Sequence, residues 1–164
     1  MVYRKSFKVQ SQYDGLPTFH NVTEEVREVV KNSKIKDGIV VVYSRHTTCS
    51  VITEECAFDL SMTGLETIQQ DLVNVFEKII PTYRSEGVYL HPGEKAINFA
   101  AEHDESLRCC HNTDAHLRSS IIGRSETIVL IDGIIDTGDF GHIYFIDWDQ
   151  TRARERTVQV MVIG

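Results

Sequence analysis

The stretch "SETIVLIDGIIDTG", residues 125–138, decides the architecture. Two apolar runs flank Asp132-Gly133, and an Asp-Gly pair in that setting is the strongest short-range hairpin signal, because both turn residues must take positive φ. A hairpin means neighbouring antiparallel strands, and the following segments continue that theme. "HIYFIDW" (142–148) and "RTVQVMVIG" (156–164) read as two more strands. Upstream, Tyr3, Phe7 and Val9 alternate with polar neighbours, as in a half-buried strand. "IVVVYS" (39–44) is too apolar for a surface strand and predicts a central one. "HTTCSVITEE" (46–55) predicts another strand.

Two helices interrupt the strands. "HNVTEEVREVVKNSKIKDG" (20–38) carries Val22, Val26, Val29 and Val30 at helical spacing, with Asn21 or Thr23 as cap. Acids fill its first turn, Lys31 and Lys34 sit near its end, and Asp37-Gly38 breaks it. A longer helix is expected from about Asp59 to Ile80, with Leu65, Ile68, Leu72, Val75, Phe76 and Ile79 on one face and Pro81 ending it. From Thr82 to Ser106 no period survives, and so long a loop in a compact domain is usually a lid or binding loop. The expectation is one α+β domain over residues 1–164: an antiparallel sheet sandwich with two main helices, not a parallel doubly wound sheet.

A chain of 164 residues buries roughly 70% of its unfolded surface, enough for a core of its own. The net charge of −7 and the absence of any lysine-rich run argue against nucleic acid, which needs clustered cations. The apolar runs are strand-sized, too short for a bilayer, and "MVYRKSFKVQSQ" alternates instead of forming a signal-peptide core, so a cytoplasmic location is expected. Cys49, Cys56, Cys109 and Cys110 form no C-x-x-C pair; they read as reduced thiols, and a vicinal Cys109–Cys110 disulfide is not expected.

Three features could carry chemistry. His46 stands at the mouth of an apolar strand; His103 is followed by Asp104, and His116 has Asp114 two residues before it. Neutral imidazoles backed by acids suit a metal with an open position, although a lone histidine in each place is more often structural. In "QTRARERTVQVMVIG" (150–164), Arg152, Arg154 and Arg156 share parity with the inward Val158, Val160 and Val162. Inward cations need carboxylates, a neighbouring subunit's acids or a phosphorylated ligand; an edge strand twisting into solvent is the alternative. "DAHLRSSIIG" (114–123) offers a helix start, capped by Asn112 or Asp114, whose free N–H groups favour anions.

Taken in order, "HTTCSVITEE", "HD" at 103–104, "DAHLRSSIIG", "IDGIIDTGDF" (131–140) and the closing R-x-R-x-R-x-V-x-V-x-V pattern resemble the YjbQ-like family (UPF0047) over nearly the whole chain. The resemblance implies an α+β homotrimer that binds a divalent metal, with zinc preferred because imidazole suits borderline metals better than magnesium. It implies His46, His103 and His116 as metal ligands. Glu55 or Asp114 would act as acid/base, with Ser119, Ser120, Arg152 and Arg154 against a small anionic, phosphorylated substrate and Phe140 stacking on its ring. The implied activity is a transferase like secondary thiamine-phosphate synthases; the alternatives are a metal-assisted hydrolase and a non-catalytic metal or ligand binder. Where the family has G-T-W-Q, this chain reads Gly138-Asp139-Phe140-Gly141, so any thiamine-phosphate synthase activity is expected to be weak or absent and the natural substrate to differ.

Overall fold

One strand organises the molecule because both of its faces are covered. In β7 (Gly141–Asp147), Ile143, Phe145 and Asp147 point one way and Tyr144 and Ile146 the other, and each is at most 1% exposed. The computed structural model describes residues 1–12 and 15–164, and for Leu107 the backbone alone. β7 is the centre of a three-stranded antiparallel sheet, between β2 (Thr18–Asn21) and β4 (Cys49–Glu55). The second sheet is also antiparallel. It runs in the order β1 (Val2–Gln10), β8 (Glu155–Ile163), β3 (Gly38–Ser44), β5 (Ser125–Ile131), β6 (Ile134–Ile135).

The main core lies between the sheets and helix α1 (Thr23–Ser33). Val40 and Val42 of β3 and Val158, Val160 and Val162 of β8 meet Phe145 and Ile143, closed by Val26, Val29 and Val30. Each such side chain contributes about 1.5–3 kcal/mol by leaving water. On the other face of β7, Tyr144, Ile146 and Trp148 pack with Val73, Phe76 and Ile80 and with Ala115. The fold is therefore α+β with two stacked antiparallel sheets, as the sequence predicts. The hairpin turn is also as expected, with Asp132 and Gly133 at φ 51° and 82°.

Two expectations are corrected. The long helix is shorter: α2 runs from Thr67 to Ile79, preceded by irregular chain with an isolated bridge between Leu60 and Glu66. The reason is a capping box: the Glu66 side chain accepts from the backbone at Gln69, and the Gln69 side chain accepts from the Glu66 N–H, which starts the helix there. Its buried face is Gln69, Val73 and Phe76, with Leu72 partly buried; Ile68, Val75 and Ile79 remain exposed. The segment after Pro81 contains a helix, α3 (Glu94–Glu102), followed by a 3-10 turn over Leu107–Cys110. Only Ala100 of α3 is buried, so there is too little apolar stripe to show as periodicity. Helix α4 (Thr113–Ile122) then leads into β5. Among the described residues, no helix is long and apolar enough to cross a membrane.

Candidate functional site: an arginine–histidine cleft

The valines of β8 set the geometry of what precedes them. Their inward parity continues to Arg156, so its guanidinium enters the space between the sheets, where an unpaired cation would be costly. Asp147, the last inward residue of β7, meets it: Arg156 Nε donates to Oδ2 at 2.6 Å and Nη2 to Oδ1 at 3.0 Å. Burial works against the charge on Arg156, but the bonds to Asp147 outweigh it and hold its pKa above the ordinary value. Arg154 lies 3.5 Å from Asp149, which also accepts from Asn112 Nδ2 at 3.1 Å. Arg152 Nη2 reaches both oxygens of Glu105, at 3.2 and 3.3 Å. The carboxylates that the arginine row requires are thus supplied by the same chain. The alternation in "IDWD" (146–149) and "RARER" (152–156) was the available signal for Asp147 and Asp149.

These arginines open onto a cleft of about 480 Å³, with His46, His91 and His116 on its walls and Ala96, Phe99 and Ala100 of α3 over it. Two guanidinium N–H groups, Nε of Arg152 and Nε of Arg154, are buried without a hydrogen-bond partner among the described residues. Cys109 and Cys110 also line the cleft, both as free thiols.

Two of these histidines, His46 and His116, are held by hydrogen bonds to the backbone. His46 Nε2 accepts the Thr157 backbone N–H at 2.9 Å, so in the neutral ring the proton sits on Nδ1. Burial, then the Arg156 and Arg45 charges, lower its pKa. His116 is lowered by burial and then by His91, against a hydrogen bond to the Thr47 backbone that raises it. With one ring nitrogen donating to that backbone, the other keeps its lone pair at neutral pH. His91 faces His116 edge-on, ring centroids 5.9 Å apart, and Thr113 Oγ1 fixes its carbonyl at 2.7 Å. Sequence reasoning missed His91, and nothing local in "YLHPGE" marks it.

The remaining expected residues lie elsewhere. His103 is exposed at the end of α3, its ring stacked on Phe99 at 4.1 Å and its Nδ1 2.7 Å from the Phe99 carbonyl. Glu55 is exposed at the far end of β4, about 20 Å of strand from Cys49. Phe140 is exposed at that same end, its carbonyl accepting from Cys56. There a side chain at Gly141 would meet the Thr137 carbonyl at 2.1 Å, so this turn cannot accept a glutamine at position 141 without rebuilding. Asp114 is buried beside Arg118, 3.9 Å away, and lines a separate hollow with Tyr83 and His111; burial raises its pKa despite Arg118. Ser119 Oγ donates to the Cys49 carbonyl at 2.6 Å and Ser120 Oγ to the His116 carbonyl at 2.8 Å, so both hydroxyls are spent on backbone. Asn112 holds the N-cap position of α4 but turns its amide to Asp149.

The implied metal centre can be tested on these atoms. His46 has its lone pair taken by Thr157, and His103 does not line the cleft. Among the described residues, no group of three or more His, Cys, Asp or Glu side chains is placed to hold a metal ion. The residues as arranged do not fit the three-histidine set.

Fold and cleft define a small α+β protein with an arginine- and histidine-lined site at the open edge between two sheets. The profile of the UPF0047 protein YjbQ-like family matches residues 6–164, and the chain belongs to that family. The UPF0047 protein MJ1081 of Methanocaldococcus jannaschii is 29% identical over 161 residues, covering 98% of this chain and 97% of that one. The UPF0047 protein YugU of Bacillus subtilis is 23% identical, covering 86% and 87%. Among solved structures, protein APE1520 of Aeropyrum pernix superposes with a TM-score of 0.72 at 25% identity, covering 98% of both chains. A YjbQ/UPF0047 family protein of Clostridium acetobutylicum gives 0.71 at 24%, covering 97% of this chain and 99% of its own, a likeness of fold.

Proposed function

We propose that the chain is an enzyme acting on a small phosphorylated substrate bound in the arginine–histidine cleft. The observation that carries this reading is the pair of unspent guanidinium donors, Arg152 Nε and Arg154 Nε, buried in a cleft that also holds imidazoles. Phosphate oxygens are the acceptors such donors bind best. In this reading Arg156 is a positioning residue, consumed by Asp147 and holding the β8 entrance in place. His116, neutral with a free lone pair, takes the proton of an attacking group, and His46 Nδ1–H donates to a substrate or leaving-group oxygen. A reaction of the thiamine-phosphate synthase kind is the narrower form of this proposal, and the placement of Phe140 away from the cleft gives it no support within one chain.

The test is calorimetric titration with inorganic phosphate. Arg152→Ala and Arg154→Ala are each expected to weaken binding by about tenfold, the scale of a charge-assisted hydrogen bond. His103→Ala should leave it unchanged. Phosphate binding that ignores both arginines would overturn the reading. We also infer a closed oligomer, a trimer by resemblance, supported by the exposed apolar outer face of the large sheet at Ile39, Val129, Ile131 and Met161 and by Ile68, Val75 and Ile79 of α2. A light-scattering mass equal to the 18.7 kDa chain at micromolar concentration would refute it.

A further inference from the structure

Arg152 presents an edge with two donors, Nε and Nη2, of the kind that grips an oxyanion with two parallel bonds. Glu105 does not use that edge. Both of its oxygens contact the single nitrogen Nη2, at 3.2 and 3.3 Å, and Nε is left buried and unpartnered among the described residues. The carboxylate therefore occupies the cation without satisfying it. It is also lightly mounted, between the end of α3 at Glu102 and the 3-10 turn that starts at Leu107. Its neighbours His103, Asp104 and Ser106 are exposed, and α3 itself buries only Ala100. Moving Glu105 away would cost little core.

We propose that Glu105 is a built-in occupant of the anion subsite, so that a phosphorylated ligand enters by displacing it from Arg152 and loosening the end of α3 over the cleft. The inference rests on the phosphate-binding reading above and adds its control. A dianionic phosphate offers the two-point contact that Glu105 leaves unmade, whereas a ligand without such a group has no means of winning the guanidinium. Displacement acts as a tax on affinity: binding is reduced by the fraction of molecules in which Arg152 is still engaged. For a partly exposed ion pair, with side chains 31% and 44% exposed, that tax is roughly two- to fivefold.

Two measurements on the intact chain decide it, with inorganic phosphate as the probe. Glu105→Gln, an exposed and isosteric change, is expected to bind phosphate about two- to fivefold more tightly than the parent. In the parent, phosphate should speed hydrogen exchange at the amides of His103, Asp104 and Glu105, which bond to Ala100 and Ala101 at the end of α3. In Glu105→Gln that acceleration should vanish. Equal affinities, together with phosphate slowing exchange at these amides, would overturn the gate and leave the phosphate site standing. No phosphate binding by either protein would overturn both.

Discussion

The β4–β7 ladder ends in two polar clusters that treat buried charge in opposite ways. At the cleft end, Asp147 is 0% exposed yet fully engaged by Arg156, with Cys49 Sγ also 3.5 Å from its Oδ1. At the far end, Glu54 stands opposite His142 with one carboxylate oxygen buried and unpartnered among the described residues. Its neighbour Glu66 is satisfied, accepting from the Ala57 N–H at 2.8 Å and from Tyr144 Oη at 2.7 Å. Burial first, and the Glu66 charge second, push Glu54 up to about 7. The lesson is that burial is tolerated where a counter-charge is built in and otherwise pushes the acid's titration up toward neutral pH. The paired end stiffens the arginine row; the unpaired end only titrates.

The largest test breaks the paired end. Arg156→Ala leaves Asp147 buried and uncompensated, so denaturant unfolding should lose about 3–5 kcal/mol, a large share of a small domain's stability. Adding Asp147→Ala should recover part of that loss, because the stranded charge goes with it. A loss below about 1 kcal/mol for the single variant would show that the two ends do not differ as described.

A smaller test uses pH, because the two ends carry opposite signs. Folding lowers His46 and His116, so their contribution is present above 6.5 and is lost as pH falls and the unfolded chain takes up protons first. Folding raises Glu54 from 4.5 to about 7, so its contribution is complete below 4.5 and is lost as pH rises through 7. Thermal melts should show Glu54→Gln more stable than the parent at pH 8 and close to it near pH 4.5. His116→Gln should flatten the parent's decline below pH 6.5. If both variants change the pH profile in the same direction, the contrast between the ends is wrong.

Parts of both the fold and the site were legible because they are written in short-range pattern. The turn at Asp132-Gly133 follows from φ preferences, and the inward parity of Arg156 with Val158, Val160 and Val162 follows from the two-residue period of a strand. The requirement that those arginines meet anions came from the cost of burying charge. The α2 boundary was harder, since Leu65 continues the helical spacing of Ile68 and Leu72 that the Glu66–Gln69 capping box cuts off. The role of Glu55 could not be judged at all from "HTTCSVITEE". Its nearness to His46 in sequence becomes a strand's length in space.

By itself, the sequence determined what depends on neighbours a few residues apart: strand and helix periodicity, the hairpin, the inward arginine row and membership of the YjbQ-like family. Tertiary structure alone decided which histidine joins the cleft, because His91 and His103 sit in one segment and only its folding over α4 brings the first to His116. It also decided what His46 can do. The Thr157 N–H that takes its lone pair lies 111 residues away, and no local pattern encodes a hydrogen bond between distant strands.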